Sequence, residues 1–147
     1  MSLNILYTQF TGKNRLAKIK LPDYKEKQKT LYRDNTPQTA LIAYGDKYLE
    51  AERISDAIDF YQKANHIEGL EKIREMVVAD GDVMDFQHTL NALNVDASRE
   101  EWNRIGEQAL ELKKYIFAIN AFEKGENNSM VEKIKELMTS GRNQKTE

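Results

Sequence analysis

Residues 45–63 read GDKYLEAERISDAIDFYQK and residues 106–124 read GEQALELKKYIFAINAFEK, two copies of one pattern offset by 61 positions without a gap. Gly45 lies over Gly106, Leu49-Glu50 over Leu110-Glu111, Ala57-Ile58 over Ala118-Ile119 and Lys63 over Lys124. The match resumes at Glu71-Lys72-Ile73 over Glu132-Lys133-Ile134. Self-similarity at a fixed spacing marks a repeated supersecondary unit, because one such unit cannot bury its apolar face alone. Within each copy the apolar residues recur every three or four positions, the period of a helix with one buried face.

Outward from this core, Thr36-Pro37 is a start signal, a threonine cap followed by proline at the first helical position. Leu41, Tyr44, Tyr48 and Ala51 then form one apolar face, and Ile54, Ala57, Ile58 and Tyr61 form that of a second helix. Asn65 with Glu68 has the spacing of a capping box for a third helix, which Gly81 closes in a left-handed conformation. Asp82 caps a fourth helix carrying Val83, Phe86, Leu90 and Leu93. Ser98 with Glu101 opens a fifth helix, residues 115–124 form a sixth, and Ser129 with Glu132 opens a seventh that ends at Gly141. Connections of about two to six residues favour antiparallel neighbours. The expected fold is therefore all-α, with about seven helices in antiparallel hairpins over residues 36–141. Its copies span 36–97 and 98–141, and residues 142–147 form a frayed tail. On this reading the second copy stops one helix short, leaving its last helix unpaired.

Composition agrees. The chain of 147 residues is 40% hydrophobic and 31% charged, with only two prolines and seven glycines to break helices. It has no cysteine, which excludes disulfides, thiolate metal sites and a cysteine nucleophile and suits a reducing compartment. The first residues lack the apolar core of a signal peptide, and no stretch approaches the roughly 18 apolar residues of a membrane span. A cytoplasmic protein is expected.

The net charge of −2 is unevenly spread. Residues 1–36 hold eight Lys or Arg against three Asp or Glu, whereas residues 37–147 hold 14 against 21. Residues 1–35 read as an irregular, partly extended basic arm. Its Lys13, Arg15, Lys18, Lys20, Lys25, Lys27, Lys29 and Arg33 are interleaved with Leu16, Ile19, Leu21, Tyr24, Leu31 and Tyr32, and Ala17-Ile19-Leu21 has the period of a short strand. Three roles fit: packing on the acidic helical part, in cis or across a homodimer; a disordered tether; or nucleic-acid binding by phosphate neutralisation and base stacking.

The opening hairpin of each copy resembles a tetratricopeptide repeat. Leu41, Tyr44, Gly45, Tyr48, Ala57, Tyr61 and Ala64 stand at that family's signature spacings, as do Trp102, Ile105, Gly106, Ala109, Ala118, Phe122 and Gly125. Leu41 replaces the favoured Trp, Ala109 an aromatic and Gly125 an Ala; the closing proline is replaced by Gly69 and Met130. Trp102-x-x-Ile105-Gly106-x-x-Ala109-Leu110 also resembles α-solenoid segments of vesicle-coat and intraflagellar-transport proteins. The resemblance implies a short helical-repeat solenoid that acts as a non-enzymatic protein-interaction module or adaptor. It also implies a concave groove lined by the first helix of each hairpin, here Thr39, Ile42, Asp46, Leu49 and Glu50, then Glu100, Asn103, Glu107, Leu110 and Glu111. The carboxylate clamp of chaperone-binding members needs Lys, Asn and Arg at such positions; these acids would instead prefer a basic amphipathic peptide.

Other chemistry is poorly represented. Asp80, Asp82 and Asp85 lack the glycine and twelfth-position glutamate of a calcium loop, so helix capping accounts for them. His66 and His88 have no neighbouring ligand in the sequence, and no phosphate loop, nucleophile elbow or metalloprotease motif occurs. No metal, cofactor or membrane partner and no enzymatic activity are expected.

Overall fold

A computed structural model describes residues 20–33 and 35–143. Among them are eight α-helices and no strand: α1 (Tyr24–Tyr32), α2 (Gln38–Glu50), α3 (Ile54–Lys63), α4 (Ile67–Ala79), α5 (Val83–Leu93), α6 (Arg99–Glu111), α7 (Tyr115–Lys124) and α8 (Asn128–Asn143). The chain divides into two compact units whose boundary follows Met76, within α4. No helix among the described residues is long and apolar enough to cross a membrane.

The 61-residue offset holds in the helix limits themselves. α2 and α6, α3 and α7, and the starts of α4 and α8 differ by 61 positions, as do the ends of α1 and α5. The turns repeat too. Glu52 N donates to Leu49 O and Arg53 N to Tyr48 O, while Lys113 N donates to Leu110 O and Lys114 N to Ala109 O. These bonds define a Schellman motif, and Glu52 and Lys113 hold its left-handed position at φ 60° and 58°. Asn65 and Glu126 do the same after α3 and α7, at φ 51° and 54°. The next residue in each turn already accepts the first bond of the following helix: Arg53 O from Ala57 N, and Lys114 O from Ala118 N. Three-residue connections result.

Each hairpin is antiparallel, because side chains on the first turns of its first helix reach the end of its second. Gln38 Nε2 donates to Ala64 O at 2.7 Å, and Asn103 Nδ2 donates to Gly125 O at 3.1 Å. Close approach is set by glycine. A β-carbon on Gly45 would stand 2.5 Å from Tyr61 Cε1, and one on Gly106 3.0 Å from Phe122 Cε1. Around these contacts the copies fill space differently. Tyr48 and Phe60 stack in the first at 5.3 Å, where the second has Ala109 and Ala121. Gly81, at φ 62°, lies against the backbone of α6: a β-carbon on it would be 2.7 Å from Ala109 N. In the second unit Trp102 meets Phe86 edge-on at 4.9 Å.

Several local expectations change. Residues 24–32, read as part of an irregular arm, form α1, capped by Asp23, whose Oδ1 accepts from Glu26 N. The described helices thus number eight rather than about seven. α1 is the counterpart of α5, so no helix is missing from the second copy; the repeat begins one helix earlier than residue 36. Thr36 does not cap α2 but donates to Thr30 O, and Asn65 closes α3 instead of opening α4. Asn127, not Ser129, caps α8 by accepting from Met130 N. Gly141 lies inside α8, which runs to Asn143, so residues 142 and 143 are helical and not frayed. The caps at Asp82 and Ser98 are as expected, accepting from Asp85 N and Glu101 N. The short strand at 17–21 lies mostly outside the described residues.

Candidate interaction site

Helix α1 lacks an apolar stripe: in YKEKQKTLY only Leu31 is buried. What attaches it to α3 is charge. Lys27 Nζ reaches Asp56 Oδ1 and lies 3.4 Å from Asp59 Oδ2, and Arg53 also pairs with Asp56 at 2.7 Å. Burial alone would lower the Lys27 pKa, but the hydrogen bond that Lys27 donates to Asp56 and the charges of both aspartates outweigh it and hold the ammonium above its ordinary value.

The equivalent seam in the second unit, between α5 and α7, is built otherwise. Sixty-one positions on, His88 stands where Lys27 does, and Phe117 and Asn120 replace Asp56 and Asp59. A cleft of about 460 Å³ opens there, with Val83, Met84, Gln87, His88 and Asn91 on one wall and Ile116, Phe117, Asn120 and Lys124 on the other. Met84 is 65% exposed, Ile116 64% and Phe117 42%. No carboxylate lines it. Lys124 holds one end, with its Nζ 4.6 Å above the centre of the Trp102 ring and hydrogen-bonded to Gln87. Helical spacing places Tyr115, Ala118, Ile119 and Phe122 on the apolar face of this helix and Ile116 and Phe117 off it, but nothing in the sequence marks those two as the wall of a cleft.

The residues expected to line a groove lie in both units. On α2, Thr39, Asp46 and Glu50 are exposed, and Ile42 and Leu49 partly so. Asp46 accepts from Tyr61 Oη at 2.5 Å, which, after burial, is what raises the Tyr61 pKa. On α6, Glu100, Glu107 and Glu111 are exposed and Leu110 partly so, whereas Asn103 is a structural clasp. Besides its bond to Gly125, Asn103 donates to Arg99 O and accepts from Asn127 Nδ2 at 2.9 Å.

Of the basic arm, Lys13, Arg15 and Lys18 lie outside the described residues. Lys20 and Lys25 are exposed, and Lys27 is committed to the seam. Lys29, in the last turn of α1, and Arg33, just past its end, border with Thr30, Asn35, Thr36 and Tyr44 an open cleft of about 760 Å³ that Glu26 also lines. Asp82 is spent on capping, and among the described residues no cluster of His, Asp or Glu could hold a metal ion.

No protein-family model, curated protein or solved structure matches the chain.

Proposed function

We propose that this protein is a non-enzymatic interaction module, a tetratricopeptide-like adaptor that binds other proteins through exposed helix faces. The observation that carries this is the α5/α7 cleft. Met84, Ile116 and Phe117 remain in contact with water there, in a chain whose other copy bridges the corresponding seam with an ion pair. Contiguous exposed apolar side chains rimmed by polar ones mark surfaces that bind a partner. The acidic faces of α2 and α6 offer further contacts, suited to basic peptides. A cytoplasmic location belongs to the same proposal and rests on the cysteine-free chain.

The test is co-purification followed by reconstitution from pure components. Saturable binding of a defined protein, lost when α5/α7 or α2/α6 surface residues are changed, is the expected outcome. Turnover of a small molecule, with no partner reconstituted, would overturn the reading. Lys29 and Arg33 beside Tyr44 favour a second reading, nucleic-acid binding, which predicts filter retention of DNA or RNA that falls steeply with salt.

A further inference from the structure

We infer that the α5/α7 cleft is a docking groove for a short amphipathic helix with apolar anchors and acidic flanks. This deepens the interaction reading and rests on it.

Three properties of the cleft select that occupant. Its lining residues on α5 and α7 recur every three or four positions, and each wall is about two turns, or roughly 12 Å, long. That length matches the i, i+3/i+4, i+7 anchors of one helix lying in a groove. The floor is apolar at Met84, Ile116 and Phe117, no carboxylate lines the cleft, and the Lys124 ammonium stands at one end of it. An acidic partner is complementary to such a rim, and a basic one is repelled.

Two other occupants fit less well. A second copy of the chain would need a far larger patch, since stable dimers bury about 800 Å² on each partner and three partly exposed side chains fall well short. The chain's own first 19 residues carry Lys13, Arg15 and Lys18 and no acid, a like charge to Lys124. In the first copy Lys27 crosses the seam to Asp56 and Asp59. The cleft of about 430 Å³ beside that pair is lined by Leu31, Tyr32, Asp59, Gln62 and Lys63, with a carboxylate where the α5/α7 cleft has none.

The experiment is peptide selection. A random library of peptides of about 14 residues, long enough for the groove with a turn to spare, is selected on the full chain. Enriched peptides are then titrated by fluorescence anisotropy against wild type, I116D/F117D and M84D. All three substituted side chains are exposed, and circular dichroism confirms the fold of each variant. Enrichment of peptides with apolar anchors at helical spacing and Glu or Asp flanks is expected. Their affinity should drop at least tenfold in both variants. It should drop too in H88K/F117D/N120D, which rebuilds the ion-paired seam of the first copy. Basic consensus peptides, or binding indifferent to all three variants, would overturn the groove but leave the interaction module standing on other faces. No enrichment at all would also overturn the groove, and the interaction module would then stand or fall on the reconstitution test.

Discussion

The Tyr61 ring occupies the place a β-carbon on Gly45 would take, with Cε1 and Cδ1 at 2.5 and 2.6 Å from that point. Tyr61 cannot swing aside, because it is buried and its hydroxyl is bonded to Asp46. Overpacking of this kind costs about 1–3 kcal/mol, against roughly 1 kcal/mol gained in helix propensity from Gly to Ala. Gly45→Ala should therefore lose up to about 2 kcal/mol in urea denaturation. Gly106→Ala, facing Phe122 at 3.0 Å, should lose about half as much. Equal losses would show that the two hairpin contacts are equally tight.

The left-handed turn residues Glu52 and Lys113 lead to the opposite sign. Each holds a conformation that costs an L-residue with a side chain about 1 kcal/mol and glycine almost nothing. Glu52→Gly and Lys113→Gly should each stabilise by about 0.5 kcal/mol after the entropy cost of glycine. Gly81→Ala should be the most damaging small change in the chain, since it adds strain at φ 62° to a clash with the Ala109 backbone. Thermal melts of the three variants check the order.

Alkaline pH should loosen the first unit. Lys27 titrates above its ordinary 10.5 and Tyr61 above its ordinary 10.0 when folded. A pKa raised on folding gives stability that is complete below the unfolded value and is lost as pH rises past it. Stability should thus be flat from neutrality to about pH 10 and fall beyond it, with Lys27→Met removing part of the fall. At pH 7 that variant should cost about 1–2 kcal/mol, between exposed and buried ion pairs. A pH–stability curve identical for wild type and Lys27→Met would refute the role given to the seam.

Asn103→Ala removes one side chain that ties the start of α6 to the end of α7 and to the cap of α8. With each net hydrogen bond worth about 1 kcal/mol, the loss should reach roughly 2 kcal/mol. Ser98→Ala removes one cap bond and should cost about 1 kcal/mol. Hydrogen exchange should place the Asn103→Ala effect at the α7–α8 turn and that of Ser98→Ala at the start of α6.

The all-α hairpin fold was legible because its tightest contact leaves a trace in residue type. Gly45 opposite Tyr61 and Gly106 opposite Phe122 recur at one offset, with Ala57 and Ala118 between. α1 was not legible, since Lys27 fastens it by charge and a lone Leu31 makes no stripe. The turns at Glu52, Asn65, Lys113 and Glu126 were hidden for a related reason: hydrogen bonds hold their left-handed backbone, so glycine is not required. Of the candidate site, the sequence picked out solvent-facing acids on α2 and α6. It could not reveal that Ile116 and Phe117, off the buried face of their helix, meet Met84 across a cleft, because that pairing depends on how α5 packs against α7.

The shared turns also leave the chain without slack. Arg53, His66, Asp82, Lys114 and Asn127 each finish one helix and start the next. One inserted residue at any of them would swing the following helix by about 100°. Among the connections between the described helices, only 33–37 and 94–98 are longer than three residues, and both fall at the corresponding place in the repeat. Between the described helices, loops and evolutionary insertions have two safe addresses, 61 residues apart.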